Sequence, residues 1–426
     1  MLRRFLRRHA ADSRIWILLA VIGPGIITAN ADNDATGILG YSQAGAQYQY
    51  ALLWVLVVSG LALGVCQEIN ARMGAVTGKG FADLIRENYG VRITVFAMVA
   101  LLVANFTTTV AEFAGILAAI QAFTGPSVRF VVIPVTAAAV WWMVARGSYQ
   151  RFERILLAAS LIYFSYVISA FLAHPPWGEV LRQTVWPDLR RVFPLRAYVF
   201  MVINVVGTTI TPWGQFYIQS SIRDKGLTLR DYSITRLEVY FSAFWTQFVG
   251  YFIIVACGTT LYTAGVRNIE DAGQAALALA PLAGKLASLL FAIGLFNASC
   301  FGAIVVPLST AYAVTEALGW ESGLGRRTRE APLFIGTYTV LILAAALLVL
   351  LFPRHLASLM ILPNIVGGVL LPIVLVLMLR LVNDRRIMGE YTNSWRFNVV
   401  AWTTTLLMIV LSLTLLFTSL IPGLAG

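Results

Sequence analysis

Stretches of about twenty predominantly apolar residues, separated by short polar segments, recur from Ile15 to Pro422. That is the length an α-helix needs to cross roughly 30 Å of hydrocarbon. Eleven can be marked, at 15–46, 49–73, 93–123, 128–145, 153–173, 197–221, 237–263, 284–318, 331–352, 356–380 and 397–421. The pattern predicts an all-α polytopic membrane protein. Composition agrees: 59% of the 426 residues are hydrophobic and 12% charged, against about 25% charged in soluble domains. Too little polar chain is left over for a soluble catalytic domain.

Two of the stretches are interrupted at matching places. The first contains Asn30-Ala31-Asp32-Asn33-Asp34-Ala35-Thr36-Gly37 and the sixth Val206-Gly207-Thr208-Thr209-Ile210-Thr211-Pro212-Trp213-Gly214. Unpaired backbone groups cost several kcal/mol each in hydrocarbon, so irregular backbone at that depth belongs beside a protein-lined or wet cavity. Two matched breaks imply one shared cavity. Five spans per copy would place two copies in opposite orientations, an inverted repeat. The expected organisation is a basic N-terminus at 1–14 and a transporter core at 15–382, with repeats at about 15–173 and 197–382. A loop at 383–396 and a peripheral eleventh span at 397–426 follow.

Charge placement orients the chain. The net charge is +11, and about three quarters of the 31 Lys and Arg fall on the segments that share a side with the N-terminus. By the positive-inside rule the N-terminus is expected in the cytoplasm and the C-terminus outside, in the cell (inner) membrane. This accounts for the basic charge without a nucleic-acid partner. The pattern at 1–31 also fits a signal peptide with a small-residue cleavage site at Ala29-Asn30-Ala31. The Gly23-Pro24-Gly25 interruption and the apolar pattern continuing past Gly37 fit a broken span better. Cys66, Cys257 and Cys300 are isolated in apolar spans with no CxxC pair, and read as packing residues.

Away from the ends of the marked spans the only acidic residues are Asp32, Asp34, Glu68 and Glu112. A carboxylate at the bilayer centre costs at least about 2.5 kcal/mol on insertion scales, so it faces a cavity, an ion path or a partner. Glu68 has Arg72 at i+4 for an ion pair. No cation lies deep in a span for Asp32 and Asp34, and a divalent ion neutralises two carboxylates at once. Sharing a proton is the alternative for that pair. Glu112, in mid-span, is a candidate for a proton or water pathway, or a protonated packing residue. The three histidines, His9, His174 and His355, all fall outside the spans. The polar residues at the breaks, Asn30, Asn33, Thr36, Thr208, Thr209 and Thr211, offer oxygen, which suits Mg²⁺, Ca²⁺ or Mn²⁺ rather than zinc or copper.

At this point the residues resemble a known family. Gly23-Pro24-Gly25, the acidic break, Gln43-Ala44-Gly45-Ala46-Gln47, Leu52-Leu53-Trp54 and Ala71-Arg72-Met73-Gly74-Ala75-Val76-Thr77-Gly78-Lys79 are similar to spans 1 and 2 of the Nramp divalent-metal transporters. The family's Asp-Pro-Gly-Asn motif starts nine residues after the Gly-Pro-Gly and nine before the Gln-Ala-Gly-Ala-Gln, and Asp34 meets both counts. Here the motif reads Asp34-Ala35-Thr36-Gly37, with Gly37 at the asparagine position. The family's Met-Pro-His in span 6 is Thr211-Pro212-Trp213, so sulfur and imidazole are absent from it. Ala111-Glu112-Phe113-Ala114-Gly115 matches the span 3 motif, with Thr109 where an aspartate is expected. Asn364 stands where span 10 commonly has glutamine.

These departures resemble the Nramp-related magnesium transporter branch. The resemblance implies a LeuT-type fold with an inverted 5+5 repeat, broken helices 1 and 6 and an eleventh span. It implies transport of Mg²⁺ and Mn²⁺ without proton coupling. The expected site has Asp34 as principal charge and Asp32 in the first or second layer. The Ala31 and Thr208 carbonyls serve as backbone ligands, and Gly37, Thr211 and Asn364 lie around the ion; Glu112 and Trp213 line a pathway. No cofactor is expected beyond the transported ion, and the protein is expected to be monomeric. Three rivals stand beside this reading: a proton-coupled transition-metal importer, a LeuT-like amino-acid symporter, and a membrane enzyme. The paired aspartates would repel a substrate carboxylate, and no nucleophile–histidine pair or HExxH motif is present.

Overall fold

The computed structural model describes residues 23–146, 149–188, 194–326, 328–352 and 356–420; within these, the side chains of Pro126, 356–358, 361, 362, 364, 365 and 415–420 are left aside. All regular structure in the described residues is helical. The first half of span 1 therefore begins, for description, at Gly23; the expected stretch 15–22 lies outside, as do His9 and His355.

Span 1 is two helices, α1 (Pro24–Asp32) and α2 (Ala35–Tyr48), and span 6 likewise two, α9 (Leu195–Thr209) and α10 (Pro212–Lys225). Spans 2 to 5 are α3 (Leu53–Thr77), α4 (Phe81–Thr124), α5 (Arg129–Ala145), and α6 (Tyr149–Ala159) continued through a tight 3₁₀ turn into α7 (Phe164–Leu172). A short α8 (Trp177–Val185) precedes span 6. Then come α11 (Tyr232–Thr260), a short α12 (Ala272–Ala283), α13 (Lys285–Leu318), α14 (Pro332–Leu351), α15 (Leu356–Val382), the single turn α16 (Arg385–Met388) and α17 (Trp395–Leu420). Eight of these helices or helix combinations are long and apolar enough to cross a membrane, and a ninth combines the end of α15 with 385–391 across a 62° bend. The eleven expected spans are all present as helices. α5 falls short of the length test, and span 1 is divided and begins outside the described residues.

Where the pattern predicted one span from 93, α4 starts at Phe81 and bends at Gly90, whose φ of 75° only glycine adopts without strain. The segment before the bend is a short helix with Asp83 in its first turn. The breaks are narrower than the sequence suggested. Only Asn33 and Asp34 leave the helix in span 1, and only Ile210 and Thr211 in span 6. Hydrocarbon explains this economy, because each further residue out of the helix would free another backbone pair.

The helices sort into two packed groups. α1, α2, α3, α9, α10 and α11 contact one another extensively; α4, α5, α13 and α14 do the same, and α15 lies along α4. The main core is a continuous apolar cluster spanning both, with a smaller one at Ala71, Ile218, Ile222, Leu227 and Val239. The expected Glu68–Arg72 pair forms at 3.3 Å on buried side chains. Tyr232 donates to Glu68, and Arg72 to Asn393, so the pair ties α3 to α11 and to the loop before α17. The three cysteines are free. One expectation is corrected: Glu238 and Glu316, at the ends of the marked spans and left out of the four acids expected inside, are 3% and 1% exposed. Each is buried because it has found local donors, described below.

Candidate functional site

α1 ends with four carbonyls that have no helical partner. Two are taken by neighbouring helices: Thr246 Oγ1 donates to Ala29 O at 2.9 Å and Tyr163 O–H to Asn30 O at 2.6 Å. The Asn30 amide is itself fixed between Ser160 and Trp245, and Asn33 donates to Thr246 O. Asn30 and Asn33 thus hold α1 in place. The N–H that would have closed on the Ala31 carbonyl, that of Ala35, donates instead to Glu112 Oε2 at 3.2 Å. In span 6 the residue four beyond Thr208 is Pro212, which has no N–H, so the Thr208 carbonyl is freed by covalent structure. Asp32 follows Ala31 as the last residue of α1.

Asp34 is the N-cap of α2. Its Oδ1 accepts from Gly37 N at 2.6 Å, a favourable place for an anion at a helix N-terminus. Gly37 spends its N–H here, and its lack of a side chain lets the cap sit close: a Cβ there would stand 3.3 Å from both Asp32 O and Asp34 Oδ1. Glu112, which accepts from the N–H of Ala35, the residue after Asp34, sits beside Asp34. It is fully buried, and its Oε1 has no partner among the described residues.

A cavity of about 610 Å³ begins at the two breaks, with Asp34, Thr36, Thr208, Thr211 and Trp213 on its floor. It runs along α2 past Gly40, Gln43 and Gln47 to the exposed residues Pro194 and Ala197. Asn105 and Thr108 of α4 border it, as do Met360, Pro363, Gly367 and Gly368 of α15, on the helix that carries Asn364. The Asn364 side chain itself lies outside the described residues. Met408 and Ser412 of α17 also line the cavity, although only 22% of that helix's apolar window is buried. The eleventh span is peripheral in packing yet forms part of the wall.

Asp32 is not on this surface. It is 1% exposed, accepts from Thr211 Oγ1 at 3.0 Å on one oxygen and from Gln67 Nε2 at 3.3 Å on the other, and so lies between α3 and α10. The two aspartates, two residues apart, face different surroundings because the chain leaves the helix between them. Trp213 lines the floor with its Nε1 unpartnered among the described residues, while its carbonyl accepts from Ser309.

At the opposite end of the bundle the start of α1 is held by hydrogen bonds. Glu238 Oε1 of α11 accepts from the N–H groups of Gly23, Gly25 and Ile26 at 2.7, 3.0 and 3.2 Å. The Lys225–Glu153 ion pair, 2.5 Å, lies over Gly23. Glycine at 25 permits the approach, since a Cβ would stand 2.9 Å from Ser242 Oγ and 3.2 Å from the Glu238 carboxyl. A further cluster at this end joins Glu316 to Ser220 at 2.6 Å and to Arg223 at 3.4 Å, with Asp83 on Arg223 at 3.2 Å. Outside the membrane, Asp384 is held below the usual carboxylate range by its hydrogen bonds to Arg386.

Two broken spans, an acid at the break and a cavity that starts from the breaks make the arrangement of a transporter. A family model described as natural resistance-associated macrophage protein-like matches residues 25–418. The chain belongs to the Nramp family. Its fold is similar to that of the Eremococcus coleocola manganese transporter, with a TM-score of 0.77 at 19% identity, covering 94% of this chain and 86% of that one. More distant likenesses are to MhsT in complex with L-phenylalanine, with a TM-score of 0.61 at 12% identity over 96% and 98% of the chains. Mhp1, a nucleobase-cation-symport-1 family transporter, aligns with a TM-score of 0.58 at 16% identity over 93% and 91%. The Nramp-type, LeuT-like helical fold expected from the sequence is thus shown. As an Nramp protein, the chain is a multi-pass membrane transporter of divalent metal.

Gln67 and Glu238 were missed from sequence. Gln67 stood beside Glu68 in an apolar span, a polar residue that the sequence reading gave no role. Glu238 follows a basic segment and looked like a solvated helix start.

Proposed function

We propose that this chain carries Mg²⁺, and also Mn²⁺, as partly hydrated ions by alternating access without proton coupling. The observation that carries the reading is the donor chemistry of the cavity floor: Asp34 with the Thr211 hydroxyl and the freed Thr208 carbonyl, all oxygen, at the end of a 610 Å³ cavity. Six waters at about 30 Å³ each occupy roughly 180 Å³, so an ion can reach Asp34 with its shell largely intact. Mg²⁺ dehydrates reluctantly and is usually held by one or two carboxylates plus water, which suits Asp34 with Glu112 behind it. Gly37 secures the Asp34 carboxylate; Asn364, on α15, is a further proposed ligand, and the Ala31 carbonyl, on a residue 0% exposed and off the cavity lining, could join only if α1 shifts.

With the basic loops in the cytoplasm, the cavity opens outward and the Glu238 end faces in. Uptake would then run down the membrane potential, worth about 2.3 kcal/mol per charge per 100 mV and twice that for a divalent ion. Movement of the group containing α1 and α10 against the group containing α4 and α13 alternates access. The protein works as a monomer in the cell membrane, with no nucleic-acid partner and no bound cofactor.

A competing reading, a proton-coupled transition-metal importer, draws on two observations: Met201, Met360 and Met408 line the cavity, and Glu112 sits beside Asp34. The soft thioethers belong to neither break. Purified protein in liposomes carrying a luminal pH dye separates the two. Mg²⁺ and Mn²⁺ uptake with constant luminal pH is expected; uptake that acidifies the lumen would establish the coupled importer instead.

A further inference from the structure

We propose that Asp32 does not bind the transported ion but positions Thr211 to do so. This rests on the reading of Asp34 and Thr211 as the cation site and concerns how that site is built.

A threonine hydroxyl has one hydrogen and two lone pairs, and can present either to a cavity. At Thr211 the choice is made. The oxygen lies 3.0 Å from Asp32 Oδ1, and since both Asp32 oxygens accept, the hydrogen is spent on the carboxylate. Gln67 Nε2, at 3.3 Å from Oδ2, holds the carboxylate from behind. Thr211 lines the cavity; Asp32, 1% exposed, does not. Of the Thr211 hydroxyl, only lone-pair oxygen is therefore left to offer to the cavity.

A second observation points the same way. Thr211 is the N-cap of α10, where threonine ordinarily accepts an N–H from the first turn, yet its side chain makes no such bond. Asp34, the cap across the break, does make one. The Thr211 lone pairs are thus withheld from capping. Gly214 keeps this region compact, because a Cβ there would stand 3.1 Å from Thr211 Oγ1 and 3.5 Å from Asp32 Oδ1. A carboxylate that takes the hydroxyl proton also makes that oxygen a better electron donor, as residues behind metal ligands commonly do.

Asp32→Asn tests this. The amide can turn its N–H₂ toward Thr211, take a lone pair and leave the hydroxyl hydrogen facing the cavity. In liposome flux, the KM for Mg²⁺ should rise about tenfold with the maximal rate little changed. Thr211→Val should raise it equally, the double variant no further, and Thr211→Ser should stay near wild type. Gln67→Met, which frees the carboxylate to swing away, should raise KM in the wild-type background and have no effect with Thr211→Val; it serves if Asp32→Asn does not fold. Effects of Asp32→Asn and Thr211→Val that multiply, or an unchanged KM in Asp32→Asn, would overturn the proposal. Asp34→Asn is measured alongside. If it abolishes transport while the Asp32 and Thr211 effects multiply, only this inference fails; if it transports normally, the cation site itself is misplaced.

Discussion

Replacing Glu238 by alanine should tip the transporter toward the conformation open at the Gly23 end. One Glu238 oxygen holds three N–H groups of α1, at 2.7, 3.0 and 3.2 Å. Hydrogen bonds to a charged acceptor contribute about 1.5–3 kcal/mol each. Three sharing one oxygen do not add, and the released groups can meet water once α1 moves, so a total of about 3 kcal/mol is reasonable. At about 1.4 kcal/mol per factor of ten, the closed form loses roughly 100-fold in population relative to the open one. Two reporters read this shift in a background without the native cysteines. Ser242→Cys is buried beneath Gly25 while α1 is seated, and Asn204→Cys lines the cavity. In Glu238→Ala, labelling by an impermeant maleimide should rise at 242 from the Gly23 side and fall at 204 from the cavity side. Glu238→Gln, which keeps an acceptor and loses the charge, should give a smaller shift in the same direction. Unchanged labelling at both positions would refute the idea that this carboxylate holds the end of α1 closed.

Further consequences follow from close approaches and buried charge. Gly25→Ala should push α1 off Glu238 and reproduce part of the Glu238→Ala labelling pattern. Gly115→Ala places a methyl 2.4 Å from Ala35 Cβ and 2.5 Å from Ser299 Oγ, and should lower stability by about 1–3 kcal/mol, seen as a reduced thermal midpoint in detergent. Arg72→Ala leaves Glu68 buried beside Tyr232 without its cation, and should cost about 3–5 kcal/mol by the same measurement; Arg72→Ala with Glu68→Gln should recover part of it.

The breaks were legible in sequence because proline, glycine and aspartate cannot stand at mid-membrane without a reason, and Asp34 was fixed by its spacing to motifs on either side. Glu68 with Arg72 was legible as an i+4 pair. The separation of Asp32 from Asp34 was not, since it depends on the dihedral angles of Asn33, where α1 stops and the chain turns into the cap of α2. Nor was Glu238. A carboxylate next to a basic segment looks solvated until Gly23 and Gly25, more than two hundred residues earlier in the chain, come close enough to satisfy it. The contribution of α17 to the cavity wall was hidden for a similar reason, because its apolar pattern suits lipid and a wide cavity equally.

The central claim is that a hard divalent cation binds at Asp34. Asp34→Asn keeps an oxygen to accept from Gly37 N, and so preserves the α2 cap while removing the charge. Flux of Mg²⁺, Mn²⁺ and Ca²⁺ into liposomes, measured for the wild type and this variant, tests the claim most directly. Mg²⁺ and Mn²⁺ uptake by the wild type, lost in Asp34→Asn with the thermal midpoint retained, is the predicted result. Unchanged Mg²⁺ uptake in the variant would contradict it.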